Sequence, residues 1–200
     1  RVAEVGVAGC VWGAYHEDVR KWYDSLVAAD TAQIVLVTDR PRPDIPCEQV
    51  VDPPHGVFRE ASWWTVGVNR LDTPYRATLG VDDVALHDIW QGVTGDVWLL
   101  GMRVVGMHSM TVMPPYNTAG DYLREKSIIA CHASPFKAEW FEGYPQVAYS
   151  DWKIYLDMAR RGAEFVNSGK VGIVHYEHED SLSRQYADDH QRHRAEALGE

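Results

Sequence analysis

This chain of 200 residues has only three cysteines, Cys10, Cys47 and Cys131, widely spaced and without a Cys-x-x-Cys pair. That excludes a dense disulfide frame and argues against a zinc site; small buried thiols in a reducing compartment fit better. No apolar run approaches the length that spans a bilayer, and the start lacks a secretory apolar segment. The expected location is therefore cytoplasmic. The first residue is Arg, so the chain is read as trimmed or as part of something longer. No long basic run interrupts a formal net charge of -10. Without many Lys and Arg to neutralise phosphates, bulk DNA or RNA is a poor partner, although a local basic patch stays open. Repeats and low-complexity segments are also lacking.

What is present suits one α/β domain of ordinary composition. Val5 to Trp12 is a short apolar run of the kind that forms a buried parallel strand. Gly13 breaks it. Val19, Trp22, Tyr23, Leu26 and Val27 then recur at helical spacing and predict one apolar stripe. Gln33 to Thr38 is a second strand, ended by Asp39 and a Pro-rich stretch from Arg40 to Pro46. Strand, helix and strand in about forty residues read as a βαβ unit with a parallel sheet. Further on, the pattern predicts a helix over Phe58–Asn69, strands over Tyr75–Gly80, Asp96–Val105 and Val171–Tyr176, and a helix over Asp151–Arg161 stopped by Gly162. Met107–Gly120, with Pro114, Pro115, Asn117 and Gly120, reads as a loop suited to a lid. The polar segment 185–200 reads as a tail, either a solvated helix or disordered.

Asp82-Asp83 follows a buried strand directly, so it sits at the carboxyl edge of a parallel sheet, where such folds bind ligands. Adjacent carboxylates repel unless a cation or hydrogen-bond donors compensate. Oxygen donors together with substrate phosphates are what Mg²⁺ or Mn²⁺ prefers. A solvated turn or helix cap accounts for the same pair without a ligand. Trp63 and Trp64 point about 100° apart on a helix; both can be core, or one can stack on a base or sugar.

Several segments in order resemble glycosyltransferase family 2. They are Asp39 at the end of the second strand, Arg59 to Gly67, Val81-Asp82-Asp83, Phe136 to Pro145, Tyr149 to Trp152 with Leu156 to Gly162, and His175 to Arg184. The match spans roughly Val5 to Arg184. It departs at Ser150 where the family has an acidic residue, at Thr65 where it has Asn, and in the Pro-rich turn after strand two.

The resemblance implies a GT-A fold with a mostly parallel sheet flanked by helices over 1–184, followed by the tail. It implies metal-dependent inverting transfer from a nucleoside-diphosphate sugar to an acceptor hydroxyl of a glycan, protein, lipid or other molecule. Asp39 would hold the nucleoside, Arg59 the diphosphate, and Trp63 would stack on the donor. Asp82, Asp83 and His178 would hold Mn²⁺ or Mg²⁺, Asp82 also facing the nucleotide, and Asp151 would be the catalytic base. On a straight strand His175 and His178 face opposite ways, and the match favours His178. Two alternatives belong to other classes: nucleotidyl transfer, for which Gly9 to Gly13 is too apolar a phosphate loop, and a non-catalytic module that binds sugar or protein through aromatics.

Overall fold

In the computed structural model, residues 3–106, 110–113, 133–176 and 189–199 are described. Strands β1 (Val5–Val11), β2 (Gln33–Thr38), β3 (Glu48–Val51) and β4 (Tyr75–Thr78) lie parallel in the order β3-β2-β1-β4. Beyond β4 come β8 (Phe136–Lys137), β6 (Val97–Val105), β9 (Phe165–Tyr176) and β5 (Val84–Ala85), with β7 (Met110–Met113) pairing β6. This half is mixed. Strand β8 is antiparallel to both neighbours, β6 runs parallel to β9 through irregular register, and β5 is antiparallel to β9.

Helix α1 (Val19–Ala28) covers one face of the sheet and α2 (Arg59–Asn69) the other. The alternation of β1 sets this up. Val5, Val7 and Val11 pack with Val19, Trp22 and Leu26 of α1, while Ala8 packs with Ala61 and Val68 of α2. Trp22 lies so close to the sheet that a Cβ on Gly9 would stand 2.4 Å from its ring. On the other face, a Cβ on Gly67 would approach that of Ala8 to 2.9 Å, so α2 sits almost on the backbone of β1. Helix α3 (Ser150–Arg160) buries Ile154, Tyr155 and Met158 on the same face as α2, against Val97, Leu99 and Phe136.

The expected strands and helices are present with small shifts at their ends. Gly162 has φ +93° and stops α3, its N–H bonding the Ala159 carbonyl. The Pro-rich stretch leads into β3 at the sheet edge, an element the sequence pattern did not mark. Two expectations are corrected. Met110–Met113, expected as loop, pairs antiparallel with β6, and the rest of the supposed lid lies outside the described residues. The last strand begins at Phe165, six residues earlier than its apolar run. In the polar tail, His190–Leu198 forms α4, whose buried Ala197 packs against Trp152 and Leu156 of α3.

Candidate active site

Because β1 to β4 run parallel, their carboxyl ends share one edge. Trp12 follows β1, Asp39 follows β2, and Asp82-Asp83 follow β4. Helix α2 runs back from that edge, which places Arg59 there, in its first turn. Strands β2 and β4, which lead to Asp39 and to the Asp82-Asp83 turn, are two strand positions apart, about 10 Å.

Asp39 is held from behind. His16, in the helical turn Gly13–Glu17, brings Nε2 to 2.6 Å from Oδ1, and the Gly13 N–H donates to Oδ2 at 3.3 Å. Burial alone would raise this carboxyl. The hydrogen bonds from His16 and Gly13 and the charge of Arg40 outweigh it, holding Asp39 below its usual 3.8. It is an ionised acceptor with an open side: the side chain is 34% exposed and His16 only 6%.

Arg59 lies over the rings of Trp12, at 5.8 Å, and Trp63, at 5.3 Å. A cation at a helix N-terminus opposes the helix dipole, and no side-chain cap is made at Phe58. The Phe58 N–H at this helix start is taken by Gln146 Oε1 at 3.2 Å, so the group there that suits an anion is the Arg59 guanidinium. Trp63 itself is 1% exposed, donates its indole N–H to the Pro53 carbonyl at 3.2 Å, and meets Trp12 edge-on. It is a core ring. The aromatic at the edge is half-buried Trp12, which the sequence reading did not single out.

At the end of β4, the two aspartates converge over Gly80. A Cβ built there would stand 2.6 Å from Asp82 Oδ1 and 3.2 Å from Asp83 Oδ2. Only glycine leaves room for both carboxylates. Asp83 is 1% exposed and its Oδ1 lies 2.7 Å from His175 Nδ1; Asp82 is half-buried. His178 lies outside the described residues, whereas His175, set aside in favour of it, is the histidine joined to the acidic pair. The signal was in the pairing. Val84 opposes Val174 across β5 and β9, so one step back Asp83 meets His175. Among the described residues, no three His, Cys, Asp or Glu side chains gather as a metal-binding group.

Asp151 lies in the first turn of α3, where its Oδ1 accepts the Trp152 N–H at 2.9 Å. It is half-buried. Burial raises the hydroxyls of Tyr144 and Tyr149, and the charge of Asp151 raises both further. Tyr144 in turn bonds the Thr78 hydroxyl at 2.9 Å, so Tyr144 links the region of Asp151 to the end of β4. A second bond ties this segment to α2, with the Tyr144 N–H donating to Thr65 Oγ1 at 2.8 Å. Thr65, where the family has Asn, thus positions the loop before α3.

A single α/β domain with this curled, largely parallel sheet and its acidic edge has the fold of GT-A-type glycosyltransferases. The solved structures it resembles include S. aureus TarS residues 1–349, with a TM-score of 0.65 and 11% identity over 86% of this chain and 60% of that one. TarS 1–349 in complex with UDP-GlcNAc gives 0.66 at 12% identity, covering 90% of this chain and 60% of that one. The complex with UDP gives 0.64 at 12%, over 98% and 65%. The chain spans less than two thirds of each. No protein-family model matches it, and no curated protein is similar in sequence. No helix among the described residues is long and apolar enough to cross a membrane.

Proposed function

We propose that this chain transfers a sugar from a nucleoside-diphosphate sugar to an acceptor hydroxyl, with inversion and with the help of Mn²⁺ or Mg²⁺. The observation that carries this reading is the convergence of Asp82 and Asp83 over Gly80, two strands from the open carboxylate of Asp39. One or two carboxylates plus substrate phosphates are a usual Mg²⁺ site. The donor set therefore fits a divalent ion without a third protein ligand among the described residues. Asp82, the more open of the pair, would hold the ion, Asp83 would share it while fixed by His175, and His178 is assigned to the same ion. The ion would neutralise charge developing on the departing diphosphate.

The chain's own residues divide the remaining work. Asp39 accepts hydrogen bonds from the nucleoside. Arg59 pairs with the diphosphate from the start of α2. Asp151 takes the proton of the acceptor hydroxyl as its oxygen bonds the anomeric carbon. Attack opposite the leaving diphosphate inverts that carbon. The likeness to structures with UDP and UDP-GlcNAc supports a uridine nucleotide as the first donor to try, and Trp63, being core, supports Trp12 more than itself as the ring beside the donor.

Calorimetric titration of UDP with and without Mn²⁺, followed by mass spectrometry of products from a donor panel, tests the reading. Metal-dependent UDP binding and a transferred sugar are expected. Absence of any nucleoside-diphosphate binding overturns it. Asp151→Asn keeps the shape and an oxygen to accept the Trp152 N–H but cannot take a proton, so transfer should fall at least about a hundredfold. Donor affinity and melting temperature should stay near wild type. Transfer within a few-fold of wild type removes Asp151 from the mechanism.

A further inference from the structure

Behind Asp39 stands more structure than a turn requires. Both ring nitrogens of His16 are engaged, Nε2 by Asp39 at 2.6 Å and Nδ1 by Arg42 Nη1 at 3.2 Å. A guanidinium has only donors. Nδ1 must therefore accept, and the ring proton sits on Nε2, where it is donated to Asp39. Arg42 is itself fixed. Its Nη1 also donates to the His16 carbonyl at 2.7 Å, and its Nε and Nη2 fork the Asp44 carboxylate at 2.9 and 2.7 Å. Gln49 on β3 accepts the Arg42 N–H at 2.9 Å and donates back to the Arg42 carbonyl at 2.7 Å. Pro41 and Pro43 flank Arg42 and restrict its backbone. The turn after β2 already has its own closure, Thr38 Oγ1 donating to the Arg40 carbonyl at 2.6 Å.

The relay from Gln49 through Arg42 and His16 thus ends on one oxygen of a carboxylate whose other face is open. An ionised carboxylate has about four acceptor positions. Two are filled by internal donors, His16 and Gly13, which fixes where the outward ones point. We infer that His16 and Arg42 are positioning residues that hold Asp39 as an oriented acceptor for the N–H or O–H groups of the donor's nucleoside. The inference rests on the proposed nucleotide-sugar reading. It assigns this relay to the nucleoside and not to the diphosphate, which the Asp82-Asp83 turn and Arg59 serve.

That division gives the test. UDP and inorganic pyrophosphate are titrated, each with Mn²⁺, into the full chain and its variants. His16→Phe should weaken UDP about tenfold, the order expected when a hydrogen bond to a charged group is lost, and leave pyrophosphate within about twofold. His16→Gln, whose amide can donate where Nε2 does, should recover most of the loss. Adding His16→Phe to Asp39→Asn should weaken UDP no further than Asp39→Asn alone, because one interaction is removed twice. Arg42→Met, one step further from the site, should weaken UDP about threefold and spare pyrophosphate; it keeps the test available if His16→Phe does not fold. Equal weakening of UDP and pyrophosphate in step with a falling melting temperature makes the relay structural and overturns the inference. So does a Gln variant no better than Phe, or additivity in the double variant. A wild-type chain that binds pyrophosphate but not UDP instead fails the nucleotide reading itself.

Discussion

At the end of β2 the carboxylate of Asp39 is the exposed partner and the imidazole of His16 is buried behind it; at the end of β4 buried Asp83 stands behind half-exposed His175. The two contacts have nearly the same length, 2.6 and 2.7 Å. Pairing alone therefore does not say which group meets a ligand; the direction of burial does. At β2 the pair presents an anion, which suits N–H and O–H donors. At β4 the paired carboxylate is the buried one, and Asp82 is the more open of the two aspartates.

The largest expected difference between the pairs is in stability. Asp83→Ala removes a buried partner of His175 and should cost about 1–3 kcal/mol, roughly 2–12 °C in melting temperature for a chain of this size. Asp39→Ala opens toward solvent, so water replaces the lost partner and the melting temperature should fall by no more than about 2 °C. Equal falls in thermal melts would break the comparison. Next come the ligand effects. Asp39→Asn should weaken UDP about tenfold while keeping its metal dependence, and Asp82→Asn should remove that dependence. Exchanged phenotypes in calorimetry would reverse the assignment of the two ends.

A smaller effect is expected at Gly80. An added methyl would stand 2.6 Å from Asp82 Oδ1 and 3.2 Å from Asp83 Oδ2, so the larger displacement falls on the far end of the Asp82 side chain. Gly80→Ala should therefore reduce the Mn²⁺ enhancement of UDP binding about fivefold, about 1 kcal/mol, with a melting temperature close to wild type. An unchanged enhancement would show that the two carboxylates need not converge. The smallest effect concerns protons. Asp39 is depressed in the folded state, so its pairing contributes stability above the usual 3.8 and loses it as pH falls through the lower folded value. Carboxyl NMR should find Asp39 titrating below 3.8 in wild type and moving up in His16→Phe. A wild-type value at or above 3.8 would remove His16 as its restraint.

The half of the fold with strong periodicity was legible in the sequence. Strands β1 and β2 are unbroken apolar runs and α1 has a clean stripe, so the βαβ unit and the place of Asp39 followed from pattern alone. Strand β3 was missed because Glu48-Gln49-Val50-Val51 is short, half polar and beside prolines, as edge strands often are. Two-residue strands such as Phe136–Lys137 carry no period at all. The helix α4 has no clear stripe, and only packing of Ala197 and His193 reveals its buried side. Among site residues, Asp82 and Asp83 were visible because they end a buried strand. His16 was not, since its partner is 23 residues away and nothing local marks a histidine in a short helical turn. Trp63 was named because helix geometry separates it from adjacent Trp64 but does not say which ring points inward, and Trp12, just past β1, carried no signal of its own.

The bonds that complete the site close very long loops. Thr65 meets Tyr144 across 79 residues, Gln146 meets Phe58 across 88, and Asp83 meets His175 across 92. The βαβ unit at the start needs only neighbours in sequence. Chain entropy delays contacts that span many residues, so during refolding the first unit should form early and the bridges to Tyr144, Gln146 and His175 late. Nucleotide binding would then be among the last properties the chain acquires, trailing the recovery of helical signal in a stopped-flow experiment. A nascent chain released before β9 would contain Asp39, Arg59, Asp82 and Asp83 yet lack the contact that fixes Asp83.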